Sequence, residues 1–569
     1  MMRLVRQRGA AAAAGGAIVV DGARKATGGR ARSRLAMTMV VFLAVFGAIG
    51  GRLVHLGLQD AAAGNAPRAR ITASRPDIVD RNGEVLATDI KTASLFAEPR
   101  RIVDVDEAIE KLATVLPDLD YEQTYRRLAS DAGFVWLRRQ LSPRQQADIL
   151  ALGVPGLGFR TEKRRFYPGG PTASHLLGLV NIDNKGIAGL EKYVDDQGLA
   201  DLQATGLAVE GELAPVRLSI DLRVQHIVRD ELVQAMERYK AIAAGAVMLN
   251  ARTGEVVAMA SLPDYDPNNP YNALDKDRLN RMSAGAYEMG STFKAFTTAM
   301  ALDSGKVAIT DSFDASRPIR IAGFTINDFH GKRRVLSVPE IFIYSSNIGT
   351  AKMADVVGVE GHRAFLKRIG LLDRLDTELP EVARPTEPAE WKKISSVTIS
   401  YGHGMTTTPL QTAVSAAAML NGGRLIQPTF LPRSRARADA VAEQVLEPET
   451  SALMRRLFRL NVERGSGRRA EVPGFYVGGK TGTAEKVVDG RYSSDKRFNA
   501  FLAGFPADDP AYVVLVILDE PKPEREGIGA TAGLNAAPTV GGIIRRAAPL
   551  LGVKPEFGHE RDALLVSQQ

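Results

Sequence analysis

Tyr287-Glu288-Met289-Gly290-Ser291-Thr292-Phe293-Lys294 decides how this chain is read. Gly290 can take a backbone shape that larger residues resist. Ser291 then stands where a helix can begin, a place that serine favours. The following run, Phe293 to Leu302, is long and apolar enough for a buried helix. Ser291 and Lys294 are three apart and share one helix face. A serine hydroxyl is a poor nucleophile at neutral pH, but a lysine amine kept dry can accept its proton. A helix start also offers free backbone N–H groups that can hold an oxyanion. The spacing alone is common: Ser493-Ser494-Asp495-Lys496 repeats it in a polar, charged run that reads as a solvated loop.

The chain has 569 residues, too many for one ordinary core, so two or three domains are expected. Apolar residues make up 45% and charged residues 24%, normal values for a folded protein. The net charge of +8 is modest for this length and lies partly in the N-terminal tail. Nucleic acid is therefore not expected as a partner. With no cysteine in the sequence, disulfides, thiolate metal sites and a cysteine nucleophile are excluded.

In residues 1–34, Arg3, Arg6, Arg8, Arg24, Lys25, Arg30, Arg32 and Arg34 face the single acid Asp21, as in a basic, disordered cytoplasmic tail. Leu35 to Gly51 carries no charge and no proline. As a helix it would span about 26 Å, near the lower limit for a membrane crossing. Leu53, Val54 and Leu56 can extend it, which gives an anchor over 35–56 with the N-terminus in the cytoplasm. A cleaved signal peptide is the rival, with Ala61-Ala62-Ala63 as the cleavage site. The length of the apolar run and the intervening Arg52 favour a retained anchor.

Residues 60–215 read as a mixed α/β module. Ile78 to Ala87 is a hairpin turning at Asn82-Gly83, and helices are expected over 105–116 and 121–129. His175 lies beside leucines and reads as structural. The texture changes near Val216: a helix over 222–239, a β-hairpin over 245–260, a helical middle, strands near 477–484, 499–505 and 512–518, and a helix over 535–548. That order suggests an α/β (α+β) domain, an antiparallel sheet covered by helices.

Two further stretches set polar groups among apolar ones. In Tyr344-Ser345-Ser346-Asn347 a hydroxyl and an amide two residues apart can face one cleft, or the run can simply cap a helix. In Lys480-Thr481-Gly482-Thr483 a strand lysine can bind a carboxylate, and Gly482 lets a ligand backbone approach the strand edge. Gly474 to Thr481 also fits the phosphate-binding pattern G-x-x-x-x-G-K-[ST]. It lacks the strand before and the helix after that the mechanism needs.

Ser-x-x-Lys, then Ser-x-Asn, then Lys-Thr-Gly, in this order and with wide spacing, resembles the penicillin-interacting enzymes. Tyr401-Gly402-His403-Gly404 and Gly479 to Ala484 add to the resemblance, as do Asp80-Arg81-Asn82-Gly83 and Arg165 to Gly169. It covers residues 35–550 and is nearest the class B penicillin-binding proteins, septal FtsI type. Two positions depart from the usual pattern: Pro76 follows Arg75, and Met289 precedes Gly290.

The resemblance implies a penicillin-binding transpeptidase fold at 216–550, a dimerisation or pedestal domain at 60–215, and a tail at 551–569. It implies Ser291 as acylated nucleophile, Lys294 as base, Ser345 as proton relay and Asn347 as a hold on the donor peptide. Lys480 would keep the site positive, and Thr481, Gly482 and Thr483 would bind substrate, with an oxyanion hole from the N–H groups of Ser291 and Thr483. No metal or organic cofactor is expected. The implied partners are peptidoglycan stem peptides, β-lactams as covalent inhibitors, the membrane through one helix, divisome proteins and a glycan polymerase. The implied location is the cell inner membrane, with the catalytic domain periplasmic. Rival functions are an elongation-specific transpeptidase, a carboxypeptidase or β-lactamase that lets water attack, a β-lactam sensor, and a non-enzymatic scaffold.

Overall fold

The computed structural model describes residues 36–52, 75–198, 214–488 and 490–557. The basic tail, the extension at 53–56, the alanines at 61–63 and the last residues of the chain lie outside it. A helix occupies residues 36–52, within the run read as an anchor. Among the described residues no helix is long and apolar enough to cross a membrane.

The module that follows begins with β1 (Ile78–Val79) and β2 (Val85–Ala97), antiparallel across the Asn82-Gly83 turn. Gly83 takes a φ of +94°, which the turn requires, and the buried Asp80 carboxylate accepts the N–H groups of Asn82 and Glu84. β2 runs unbroken through Ala93–Ala97. Then come α1 (Val105–Val115), α2 (Tyr121–Leu128), β3 (Val135–Leu141), α3 (Pro143–Ala151), β4 (Leu157–Phe166), α4 (Gly189–Asp196) and β5 (Val216–Arg217). β3 and β4 both pair with β2, and β5 runs parallel to β1. Asp104 and Asp120 cap α1 and α2, and these helices bury Ile109, Leu112 and Leu128 on Leu95 of the sheet.

A buried ionic cluster ties the two ends of this module together. Glu191 on α4 accepts bonds from Arg75 Nε at 3.0 Å and from Arg165 Nε at 2.6 Å, and its side chain is wholly buried. Arg75 also pairs with Asp195, and Arg165 with Asp89. Pro76 fits here: its carbonyl accepts from Arg165 Nη2 at 2.9 Å. His175 is structural as expected: its ring nitrogen Nε2 bonds the Arg278 carbonyl at 2.6 Å, its edge meets Tyr265, and burial lowers its pKa.

The larger domain holds α5 (Leu222–Tyr239), β6 (Ala243–Asn250), β7 (Val256–Leu262), α6 (Phe293–Asp303), α7 (Val338–Tyr344), α8 (Asn347–Val357), α9 (Lys393–Ser400), α10 (Pro409–Leu420), α11 (Pro448–Arg464), β8 (Gly478–Val488), β9 (Arg491–Phe505), β10 (Tyr512–Asp519) and α12 (Ala536–Ala547). Its sheet is antiparallel throughout, in the order β8-β9-β10-β6-β7. β10 reads Tyr-Val-Val-Leu-Val-Ile-Leu-Asp and is buried along its whole length. Val513, Leu515 and Ile517 enter the core that contains α6 and α10, while Val514, Val516 and Leu518 enter the core under α5 and α12. A strand covered on both faces has no polar side, and this one has none. The Ser493–Lys496 run lies on β9, not in a loop as the sequence suggests: Ser493 pairs with Lys486, and residues 494–496 form an irregular bulge between it and Arg497, the partner of Glu485.

Candidate active site

α6 reads Phe-Lys-Ala-Phe-Thr-Thr-Ala-Met-Ala-Leu-Asp, and every residue but the last is buried. A helix that is apolar all round belongs inside a domain, and Lys294 goes in with it. Ser291 does not cap this helix. It sits in a 3-10 turn, Gly290–Thr292, that leads directly into α6, with no side-chain cap at Met289. Gly290 does take a left-handed φ, +53°. Its N–H donates to the Gly402 carbonyl at 3.3 Å. A Cβ on Gly402 would stand 1.9 Å from the Gly290 carbonyl oxygen, and a Cβ on Gly482 would stand 2.7 Å from that of Met289. Gly482 is therefore needed for the protein's own turn to pack on β8.

Lys294 Nζ donates to the Ser345 carbonyl at 2.5 Å and to Ser345 Oγ at 3.1 Å. Lys480 Nζ, arriving from β8, donates to the same Oγ at 3.0 Å and to the Thr481 carbonyl at 3.2 Å. One hydroxyl thus lies between two buried amines. Burial pushes Lys294 down from 10.5 to about 7, against the nearby charge of Asp328. Burial also lowers Lys480 well below its usual range, and the Lys294 charge adds to this. Among the described residues the Ser291 hydroxyl takes no bond from Lys294, whose donors turn to Ser345.

Ser345 ends α7 in the left-handed region, φ 57° and ψ 45°. That shape is uncommon for a residue with a Cβ and costs about 1–2 kcal/mol. It presents carbonyl and hydroxyl together to the lysines. The next serine is the cap: Ser346 Oγ accepts the Gly349 N–H at 2.9 Å and starts α8. In the Ser-Ser-Asn run Ser346 is thus the cap that the sequence allowed, while Ser345 meets the two lysines. Asn347 Nδ2 donates to the Asn327 carbonyl at 2.8 Å.

Residues that sequence reasoning passed over hold these groups in place. Asp328 accepts from Ser346 Oγ at 2.8 Å and from the Ile348 N–H at 2.9 Å, and no periodic pattern marks it. Thr481 Oγ1 shares a 2.7 Å bond with Ser466 Oγ, and Thr483 Oγ1 accepts the Ala532 N–H at 3.2 Å. The glycines flanking Ser466 are the one signal that could have drawn attention to it. Glu288 accepts from the Gly404 N–H at 2.7 Å and from the Tyr492 hydroxyl at 3.1 Å, and pairs with His403 at 3.3 Å. Burial would raise the Glu288 pKa, but His403 and these donors outweigh it and lower it.

The arrangement is a hydroxyl on a tight turn, a dry amine at the start of the next helix, a second hydroxyl shared by two lysines, and a strand edge alongside. The chain matches the penicillin binding protein transpeptidase domain over residues 244–544 and the penicillin-binding protein dimerisation domain over residues 70–199. It is similar to the probable peptidoglycan D,D-transpeptidase FtsI of Caulobacter vibrioides, at 40% identity over 494 residues, 85% of this chain and 82% of that one. It is 31% identical to stage V sporulation protein D of Bacillus subtilis over 89% of this chain and 82% of that one. It is 30% identical to the peptidoglycan D,D-transpeptidase FtsI of Escherichia coli over 84% of each chain. A serine on a helix-opening turn, with two lysines meeting at a second serine, inside a chain so matched along both domains, means that it belongs to the penicillin-binding protein transpeptidase family, among relatives of the FtsI type.

Proposed function

We propose that the chain is a serine-type peptidoglycan D,D-transpeptidase that cross-links stem peptides through an acyl-enzyme, in septal wall synthesis. The observation that carries this is the convergence of Lys294 and Lys480 on Ser345 Oγ, at 3.1 and 3.0 Å, beside the turn that bears Ser291. Ser291 Oγ attacks the carbonyl of the penultimate D-alanine, and its proton passes to the neutral amine of Lys294. The N–H groups of Ser291 and Thr483 hold the oxyanion. As the C–N bond breaks, Ser345 gives a proton to the departing D-alanine amine and is resupplied by the lysines. The amine of a neighbouring stem peptide then attacks the ester, loses a proton along the same relay and frees Ser291. Asn347 holds the donor peptide. Thr481 and the charged form of Lys480 receive the terminal carboxylate, whose arrival favours that charge. β-Lactams acylate Ser291 in the same way.

The domain limits fit this reading: a tail at 1–34, an anchor at 35–56, a pedestal at 60–215, the catalytic domain at 216–550 and a tail at 551–569. The uncharged run with its basic flank supports one crossing of the inner membrane, with the catalytic domain periplasmic and its partners the divisome proteins and a glycan polymerase.

The test is labelling of membranes with a fluorescent penicillin, for wild type and for Ser291→Ala. The expected result is a band lost only in the variant, with slow release of label. Rapid release would favour a β-lactamase. No label on folded wild type would refute the enzymatic reading.

A further inference from the structure

Residues 327–334 form a loop that begins at the Ser345-Ser346-Asn347 wall and reaches the sheet. Asp328 bonds Ser346, and Lys332 Nζ lies 4.7 Å from the centre of the Tyr344 ring. From the same loop, Phe329 lies against Arg497 of β9, whose guanidinium carbon is 5.9 Å from the ring centre. Arg497 is the cross-strand partner of Glu485. By strand alternation it stands on the face of the sheet that carries Thr483 and Thr481. The Phe329–Arg497 contact therefore joins this loop to the sheet one same-face pair beyond Thr483.

The loop is rich in uncompensated charge. Arg334 is neutralised by Glu340, at 3.0 and 2.7 Å. Asp328 is already engaged by Ser346 and the Ile348 N–H. Among the described residues Lys332, Arg333 and Arg497 make no ion pair. Arg333 is held at a φ of +54°, and Phe329 is 69% exposed although it is a large apolar ring. The catalytic steps use none of these side chains. Three cations without an ion-pair partner, two on this loop and one held against its Phe329, beside the Ser345–Asn347 wall, suit an acidic peptide.

We propose that Lys332, Arg333 and Arg497 read a carboxylate on the stem peptide, upstream of the D-alanyl residue that acylates Ser291, with Phe329 holding Arg497 in place. They are specificity-determining residues for binding and take no part in the chemical step. The proposal rests on the transpeptidase reading and adds a substrate feature to it.

The test uses the full chain in detergent and a D-alanyl thioester donor peptide in two forms, one with a free upstream carboxylate and one with that carboxylate amidated. Thiol release gives kcat/KM for each donor, and the ratio within one protein preparation is independent of how much of it is folded. Wild type is expected to favour the free carboxylate about fivefold, mainly through KM, as suits part-exposed charges. Arg497→Gln and the double variant Lys332→Gln/Arg333→Gln are expected to bring the ratio near one, and Arg497→Lys to keep most of it. Equal use of the two donors by wild type, or a preference that survives in the glutamine variants, overturns the proposal while penicillin still labels Ser291. If neither the donors nor penicillin acylate wild type, the transpeptidase reading fails and the proposal goes with it.

Discussion

Replacing Lys294 by methionine is expected to abolish acylation and to make the protein more heat-resistant at pH 7. Lysine ordinarily holds its proton up to pH 10.5, whereas in this fold burial brings Lys294 to about 7. Between those values the unfolded chain binds the proton and the folded one does not, so wild-type stability falls as pH falls from 10.5 to 7. At about 1.4 kcal/mol per pH unit the penalty at pH 7 is on the order of 4–5 kcal/mol. Methionine has a similar unbranched shape and no charge. It gives up the two bonds to Ser345, worth about 1 kcal/mol each, which leaves a net gain of about 2 kcal/mol. For a cooperative unit of roughly 300 residues that is about 4 °C in melting temperature. Lys480 adds in the same direction, because the Lys294 charge that lowers it is gone. Near pH 10 the penalty has almost vanished, so the sign should reverse and wild type should melt higher. The assay is thermal unfolding of wild type and Lys294→Met at pH 7 and pH 10, beside fluorescent-penicillin labelling. A variant that melts lower at pH 7, or a difference that does not change between the two pH values, would refute the reasoning.

The second-order rate of penicillin acylation should rise with pH and level off above about 7, as Lys294 loses its proton; a rate flat from pH 5.5 to 8.5 would contradict Lys294 as the base. Gly482→Ala puts a Cβ 2.7 Å from the Met289 carbonyl oxygen, so acylation should fall at least tenfold and stability by about 1–3 kcal/mol, read by labelling and melting. Asp328→Ala frees Ser346 Oγ and the Ile348 N–H; it should cost about 1–2 kcal/mol and lower the acylation rate constant more than penicillin binding, which stopped-flow acylation separates. Glu191→Gln leaves Arg75 and Arg165 short of a buried countercharge; it should destabilise the dimerisation domain by about 3 kcal/mol or more, seen as faster proteolysis within 75–198 while the transpeptidase domain stays intact.

The catalytic domain was largely legible because its elements bury long apolar runs. Tyr512–Asp519 and Phe293–Asp303 leave no other place to go, and the structure holds them as a strand and a helix. The Ser291 stretch was legible as a position but not as a shape: a 3-10 turn and a helix cap look alike in a Gly-Ser-Thr run, and packing on β8 and Gly402 decides between them. Asp328 could not be found, because its bonds to Ser346 and Ile348 reach 18 and 20 residues along the chain with no repeating pattern. Ser493–Lys496 failed for a related reason. Its polarity is that of a loop, and it lies within β9 as a bulge between two residues that pair with β8, Ser493 and Arg497.

The turn that bears Ser291 has Gly402 on one side and Gly482 on the other, and a Cβ on either would meet the turn's backbone. Drug resistance by alteration of the target has little room there, since a larger residue would move the proposed nucleophile for penicillin and natural substrate alike. Selection that spares wall synthesis is left with side chains around the cleft mouth, where the two molecules differ in what they present.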